Sequence, residues 1–239
     1  MRIAYFDAAS GVSGDMLLGS LLDAGAPLGA VREALGALGV GEEVALRLDE
    51  RRAGAFRVAH LSVDLASTSR ERHVPEILSA IDRSGLSSRV RERSRGTVDR
   101  LAQVESRLHG KPIEELHLHE LSAADTLADI VGFWVAAEAL AIDEIQASPI
   151  NVGGGEVRFS HGRFGVPAPA TAELLKGVPA YGSDDAGMEL TTPTGAALIV
   201  TAARRFGAMP PMTIERIGYA VGSRESDPPL ILRCSIGTA

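Results

Sequence analysis

Two histidines and three acidic residues lie within thirteen positions of the segment HLHELSAADTLADIVG: His117, His119, Glu120, Asp125 and Asp129. Asp125 and Asp129 are four residues apart, so on a helix their like charges share one face. The positions that follow, up to residue 142, are almost all apolar, which predicts a buried helix. A carboxylate buried there is costly unless a cation or a donor meets it. The five residues therefore predict a divalent metal site.

Purely structural interpretations of the same segment are also open. Ser122 and Asp125 fit the S-x-x-D capping box, which would start the helix without any metal. His117 and His119 alternate with leucines, as on the polar face of a short strand. Neither interpretation explains Asp129 together with two histidines, so the cluster favours a metal. Imidazole and carboxylate suit Ni²⁺, Zn²⁺ and Mn²⁺ alike, so the ligands do not choose between these ions.

A second candidate site lies near the start of the chain, where a short strand leads through a Gly/Ser loop into an apolar helix. The strand ends near Asp7, and the loop SGVSGD runs from Ser10 to Asp15. Such a loop directs backbone N–H groups and the positive end of a helix dipole towards an anion. Ser10, Ser13 and Gly14 are therefore expected to bind a phosphate-like group, unless Ser13 simply caps the helix. Asp7 and Asp15 are candidate catalytic carboxylates.

Two further segments have a similar character. The run TTPTG places Thr192 and Thr194 at another helix start, where they can form a second wall of the anion site if the two starts converge. Capping by Thr192 is the structural alternative. His161 lies in SHGRFGVPAPAT, whose glycines and prolines predict a rigid irregular loop. Loops held in this way often carry functional groups, so His161 is a third catalytic candidate beside the alternative of a surface histidine.

The order of helices and strands shows no regular βαβ rhythm, which favours the α+β class, with mixed helices and short strands around one core. A polar connector from Ala66 to Glu71 predicts a division into an N-terminal β-α-α-hairpin subdomain, residues 1–66, and a helical and mixed portion, residues 67–239. His60 falls on the alternating pattern of the hairpin and is interpreted as a strand-face residue, with a ligand role as the alternative. The pattern after residue 192 predicts a helix from Pro193 to Phe206, then two closing strands.

Composition excludes several functional classes. The net charge is −7 and only 4% of the residues are aromatic, so the chain lacks the basic stripe and the stacking platforms of a nucleic-acid-binding protein. No apolar run approaches the roughly 20 residues of a membrane span. The first ten residues do not resemble a secretory signal, and the single Cys234 cannot form an internal disulfide. A cytoplasmic location is expected, with neither membrane nor nucleic acid as a partner.

Four separated segments together resemble the LarC nickel-insertion family, in the same order. They are YFDAASGVSGDMLLGSLLDAG, HLHELSAADTLADIVG, HGRFGVPAPATAELLKG and ELTTPTGAAL, and the resemblance spans nearly the whole chain. It implies an enzyme of the lyase class, a nickel-inserting cyclometallase. Its substrate would be pyridinium-3,5-bisthiocarboxylic acid mononucleotide, into which nickel is inserted through carbon–nickel and sulfur–nickel bonds with consumption of CTP. On this resemblance the product would be the nickel-pincer cofactor of lactate racemase.

The chain departs from the family pattern in two places. Where members often carry a histidine-rich tract, the sequence is DLASTSRERH, in which His73 is the histidine that remains. The family's C-terminal domain, which binds CTP with Mn²⁺ or Mg²⁺, has no counterpart in these residues. The resemblance therefore implies action with a separate C-terminal LarC-like partner, and homo-oligomerisation is left open. Two alternatives are a non-catalytic nickel- or substrate-binding subunit and a stand-alone metal-dependent hydrolase.

Overall fold

The computed structural model describes residues 1–67, 72–116, 124–159, 162–183, 187–224 and 229–239 of the chain. Within these ranges the structure has seven α-helices, α1 to α7: Gly14–Asp23, Leu28–Ala37, Val74–Arg83, Ser88–His109, Ala124–Ala139, Pro169–Leu174 and Pro193–Ala202. It also has eleven strands, β1 to β11: Arg2–Asp7, Val44–Ala53, Phe56–Leu65, Glu144–Ala147, Ile150–Gly153, Glu156–Phe159, Gly162–Gly165, Ala180–Gly182, Ala203–Phe206, Thr213–Val221 and Ile231–Thr238. The mixture confirms the α+β class.

Seven of the strands form one sheet, in the order β2-β3-β10-β11-β1-β4-β9. The strand β11 lies between β1 and β10 and is antiparallel to both. Because β3 is parallel to β10, and β4 to β1, the strands β1, β3, β4 and β10 all point the same way. Their carboxyl ends therefore meet at one edge of the sheet, the edge at which ligands bind in open sheets of this kind. Two small sheets, β5-β8 and β6-β7, complete the fold.

The helix α5 is the centre of the hydrophobic core, as its apolar composition predicts. It contacts α1, α2, α4 and α7. The Phe133 ring packs against Phe6 of β1, with ring centroids 5.9 Å apart. Trp134 is buried, and its Nε1–H donates a hydrogen bond to Thr97 Oγ1 of α4 at 3.1 Å. Because α5 has neighbours on every side, any polar group that it carries needs a specific reason to be there.

The sequence expectations for individual elements are met in part. The hairpin is confirmed, with β2 and β3 paired from Val44 to Leu65. The predicted helix from Pro193 to Phe206 is wrong at its end, because α7 stops at Ala202 and Ala203–Phe206 forms β9 beside β4. The irregular loop predicted around His161 is also partly wrong, since Gly162–Gly165 is a strand paired with β6, while His161 itself lies outside the described residues.

The predicted subdomain boundary falls between β3 and α3. The seven-stranded sheet takes β1, β2 and β3 from one side of this boundary and its other four strands from the other side. The division into residues 1–66 and 67–239 stays a prediction. In the described parts of the chain, none of the helices is both long enough and apolar enough to cross a membrane.

Candidate functional site

A cavity of about 600 Å³ opens at the carboxyl edge of the sheet. Its walls come from the end of β3, the residues after β10, the loop between β1 and α1, the starts of α5 and α7, and strand β6. The polar lining residues are Ser10, Ser13, Asp15, His60, Ser62, Asp64, Asp125, Thr126, Asp129, Arg158, Glu189, Thr192, Thr194, Ser223 and Arg224. The fold thus brings the predicted anion-binding loops and the two aspartates of α5 to the same cavity.

The starts of α1 and α7 converge at this cavity, as a shared anion site requires. The backbone N–H of Thr192 donates to Val12 O at 3.0 Å. In return, the backbone N–H of Val12 donates to Thr191 Oγ1 at 3.2 Å. A Cβ atom at Gly195 would lie 2.3 Å from Val12 O, so this glycine permits the close approach. Thr192 also caps α7, because its hydroxyl accepts from Gly195 N at 3.2 Å.

Ser13 at the start of α1 does not act as a simple helix cap. Ser13 occupies the N-cap position but makes no side-chain capping bond. Its hydroxyl instead donates to Asp15 Oδ1, which also accepts from the backbone N–H of Met16 at 2.9 Å. The carboxylate of Asp15 is therefore held in a fixed position at the cavity wall. Capping by Ser13, the structural alternative, does not account for this geometry.

Asp125 and Asp129 lie on the face of α5 that lines the cavity, which agrees with their spacing of four residues. Asp125 Oδ1 accepts from the backbone N–H of Thr126 at 2.6 Å. Asp129 Oδ1 is inaccessible to solvent and has no hydrogen-bond donor among the described residues. Burial of this carboxyl group, followed by repulsion from Asp15 and Asp125, raises the pKa of Asp129 well above its ordinary value. A carboxyl group in this state would gain from a cation or a donor within the cavity.

His60 is a cavity residue that the sequence pattern did not identify. Its side chain lies on β3, and the residue is only 4% exposed. Nδ1 is 3.3 Å from Ser62 Oγ, whereas Nε2 is buried and has no partner in the described part of the chain. Burial and the charge of Arg51 lower the pKa of His60, against the opposing effect of Asp15. The strand pattern predicted the hairpin but not the cavity, because the cavity depends on pairing between β3 and the distant β10.

Not every predicted site residue reaches the cavity. Asp7 ends β1 and pairs with Arg233, with 2.6 Å between Oδ2 and the guanidinium nitrogen, and it does not line the cavity. His117, His119, Glu120 and His161 lie outside the described residues. Over the described ranges, no group of three or more His, Cys, Asp or Glu side chains is arranged to hold a metal ion. The five-residue metal site therefore stays a prediction.

The charge of the lining is mixed but predominantly acidic. Among the described residues, five acidic ones line the cavity, Asp15, Asp64, Asp125, Asp129 and Glu189, against two arginines, Arg158 and Arg224. Arg224 donates to the backbone carbonyl of Glu189 at 3.3 Å, which joins the segment after β10 to the segment before α7. Sequence reasoning missed Glu189, although it lies only two residues before the TTPTG motif. Such a lining suits a ligand that combines a cation with an anionic group.

A protein-family model described as "Nickel insertion protein" matches residues 4–239. The chain belongs to the nickel insertion protein family. A relative from Desulfitobacterium hafniense is 41% identical over 237 residues, which are 99% of this chain and 58% of the relative. A relative from Staphylococcus saprophyticus is 38% identical over 235 residues, which are 98% of this chain and 60% of the relative. Both are named pyridinium-3,5-bisthiocarboxylic acid mononucleotide nickel insertion protein.

Other family members carry a less specific name. A relative from Dictyoglomus thermophilum, 35% identical over 237 residues, is named putative nickel insertion protein. The chain covers 99% of its own length in that match and 61% of the relative, so it spans about three fifths of the curated relatives that it matches. No solved structure matches the chain.

Proposed function

We propose that this chain binds nickel and pyridinium-3,5-bisthiocarboxylic acid mononucleotide in the cavity, and that it acts in the insertion of nickel into this substrate. Family membership and the names of the relatives support the reaction. One observation supports the place: Asp129 lines the cavity at which α1 and α7 both begin, and its solvent-inaccessible Oδ1 has no donor among the described residues. A cavity of about 600 Å³ is large enough for a mononucleotide.

The anionic end of the substrate fits the two converging helix starts. Ser10, Ser13 and Gly14 line the cavity on the α1 side, and Thr192 and Thr194 line it on the α7 side. The positive dipole ends of two helices favour a phosphate group there. The α7 side is the better candidate for direct contact with the phosphate, because on the α1 side the Ser13 hydroxyl is already hydrogen-bonded to Asp15. We assign the substrate phosphate to this part of the cavity.

The acidic part of the cavity fits the nickel ion. Asp125 and Asp129 provide two carboxylates on one helix face. His117, His119 and Glu120 precede that helix closely in the sequence and complete the proposed metal site. Nickel is the substrate that the reaction transfers, so these ligands must release it as well as bind it. Asp15, fixed by Ser13, is the proposed catalytic carboxylate beside them, with His161 as a further candidate.

The remaining parts of the reaction follow from the family resemblance. We propose a lyase-class cyclometallase whose product matures lactate racemase in the cytoplasm. We assign the CTP-dependent step, with Mn²⁺ or Mg²⁺, to the C-terminal part of the relatives that this chain does not cover. On this proposal the 239-residue chain binds nickel or the mononucleotide by itself, and it makes the cofactor when a C-terminal LarC-like partner is supplied.

The metal part of the proposal is tested by calorimetry with NiCl₂ on the purified chain after treatment with a chelator. We expect the double variant His117→Ala/His119→Ala to lose most of its nickel binding while its circular dichroism spectrum is retained. His109→Ala is a matched control, because His109 lies at the end of α4 and pairs with Glu105 at 3.2 Å. Unchanged nickel binding by the folded double variant would remove the two histidines from the site.

The partner requirement needs a separate assay. The purified chain is mixed with the mononucleotide substrate, Ni²⁺, CTP and Mn²⁺ or Mg²⁺, and the cofactor is detected by activation of apo-lactate racemase. We expect no activation until a C-terminal fragment of a relative is added. Full activation by the 239-residue chain alone would contradict the assignment of the nucleotide step to the C-terminal part.

A further inference from the structure

The imidazole of His60 has one nitrogen without a partner inside the cavity wall. The residue is 4% exposed, and its Nε2 atom is inaccessible to solvent and unpaired among the described residues. The other nitrogen, Nδ1, lies 3.3 Å from Ser62 Oγ, which fixes the plane of the ring. Buried polar atoms are nearly always hydrogen-bonded, and leaving one without a partner costs free energy. His60 also lines the cavity, so a ligand bound there can supply the missing partner.

The charges around His60 select the kind of ligand. Asp15, Asp49 and Asp64 all act on the ring electrostatically, and Asp15 and Asp64 line the cavity with it. The opposing positive charge is that of Arg51, which has the largest effect of any single charge on the ring but does not line the cavity. An anion beside Nε2 would face these carboxylates, whereas a cation would be attracted by them. The surroundings therefore favour a cation at Nε2.

The chemical state of the ring also suits a metal ion. Burial favours the neutral imidazole, and in the tautomer whose Nδ1–H donates to Ser62 Oγ the Nε2 lone pair is available to a metal. Hydrogen bonding of one ring nitrogen is the usual way in which a metal-binding histidine is oriented. Asp129 Oδ1 is a second buried acceptor without a partner in the described residues, and it lines the same cavity. A borderline ion such as Ni²⁺ accepts both imidazole nitrogen and carboxylate oxygen.

We propose that His60 is a nickel ligand, binding through Nε2 together with a carboxylate of the cavity. This inference rests on the proposed function and deepens it, since it names a ligand on β3 that is remote in sequence from the segment before α5. The ion would then be held between the sheet and the helix layer, beside the helix starts assigned to the substrate phosphate. Ser62 is a positioning residue on this proposal, because it orients the ring without contacting nickel.

The test compares nickel affinities of the purified 239-residue chain by calorimetry, after removal of metals with a chelator. His60→Ala should weaken nickel binding about tenfold or more, because even loss of an outer partner of a metal ligand costs 10- to 100-fold. His109→Ala, at a surface position away from the cavity, should bind nickel as the unaltered chain does. His60→Gln retains a polar side chain of similar length, and serves as the second variant if the alanine variant does not fold.

A spectroscopic measurement separates ligation from a structural effect. X-ray absorption at the nickel edge should show one fewer imidazole ligand in folded His60→Gln than in the unaltered chain. If His60→Gln and the unaltered chain have equal nickel affinity and equal numbers of imidazole ligands, the assignment of His60 is overturned. If His117→Ala/His119→Ala nevertheless loses nickel, the proposed function stands without His60. If the unaltered chain itself binds no nickel, the nickel part of the proposed function and the His60 assignment are both overturned.

Discussion

Asp129 on α5 occupies the space that a side chain at position 14 on α1 would need. A Cβ atom built on Gly14 would lie 2.1 Å from Asp129 Oδ2 and 2.7 Å from Asp129 Cβ. The contact joins two segments for which the sequence predicted different functions. The Gly/Ser loop was expected to bind an anion, and the aspartates of α5 were expected to bind a metal ion. The glycine in the loop is therefore required by a carboxylate that lies far away in the sequence, and not only by the turn itself.

The first prediction concerns this contact. Gly14→Ala should lower the free energy of unfolding by about 1–3 kcal/mol, because the added methyl group overlaps Asp129 and both helices must shift. Urea denaturation followed by circular dichroism measures the change. Gly29→Ala on α2 is the matched control, since an added Cβ there meets nothing within 4 Å. An equal effect of the two substitutions would show that the Gly14 contact relaxes without cost.

The second prediction concerns pH. The pKa of Asp129 is raised in the folded chain, so above about pH 4 the folded state holds a proton that the unfolded state has released. Stability should therefore fall as pH rises towards the folded pKa, by up to about 1.4 kcal/mol per pH unit from this group. Asp129→Asn removes the effect, so the variant should gain stability over the unaltered chain as pH increases.

The measurement is a series of urea denaturations from pH 4 to pH 7, with a chelator present to exclude metal. Asp99→Asn, at a partly exposed carboxylate of α4, controls for the substitution of Asp by Asn. Parallel pH profiles for the unaltered chain and Asp129→Asn would contradict the raised pKa.

The third prediction concerns the packing of α5 on α4. Trp134→Phe removes the indole N–H that donates to the buried Thr97 Oγ1. The free energy of unfolding should therefore fall by about 1–3 kcal/mol. The indole ring also lies under the Arg93 guanidinium, 4.9 Å from the ring centroid. A double-mutant cycle with Thr97→Val isolates the hydrogen bond. Strictly additive effects would show that the bond contributes nothing.

The fourth prediction concerns the anion site. Thr194→Val should weaken the binding of nicotinic acid mononucleotide, a pyridinium mononucleotide without thiocarboxylates, by about tenfold, because a hydrogen bond to a charged group contributes about 1.5–3 kcal/mol. Calorimetry measures the affinity. Thr213→Val, an exposed position at the start of β10, is the control. If both variants bind equally well, Thr194 does not contact the phosphate.

Local sequence patterns predicted the elements of this fold better than their arrangement. The apolar run after residue 123 predicted α5, and the alternation around Ala53 and Gly54 predicted the hairpin. The error at Ala203–Phe206 has a long-range cause, because these residues become a strand only through pairing with β4. Neither glycine nor proline stands between α7 and this segment, so nothing local marks the change from helix to strand.

The candidate site shows the same division. The spacing of Asp125 and Asp129 was enough to place both on one helix face. The place of His60 in the cavity wall was not predictable, because its strand becomes part of that wall only when β10 pairs beside it. Asp7 ends a strand at the correct edge of the sheet, yet Arg233 of the distant β11 pairs with it away from the cavity. Residues on loops and helices were therefore easier to assign than residues on strands.

The central position of β11 has a consequence for how the chain folds during synthesis. β11 pairs with β1 from Arg2 opposite Thr238 to Asp7 opposite Arg233, so the first and last strands are neighbours. Contacts so remote in sequence form slowly, because a long loop must close before they stabilise anything. On the ribosome, β1 has β4 as its first available sheet neighbour and gains the second only after residues 231–238 have emerged. Until then the nascent chain presents two further open strand edges, at β1 and at β10, in addition to those of the outer strands β2 and β9.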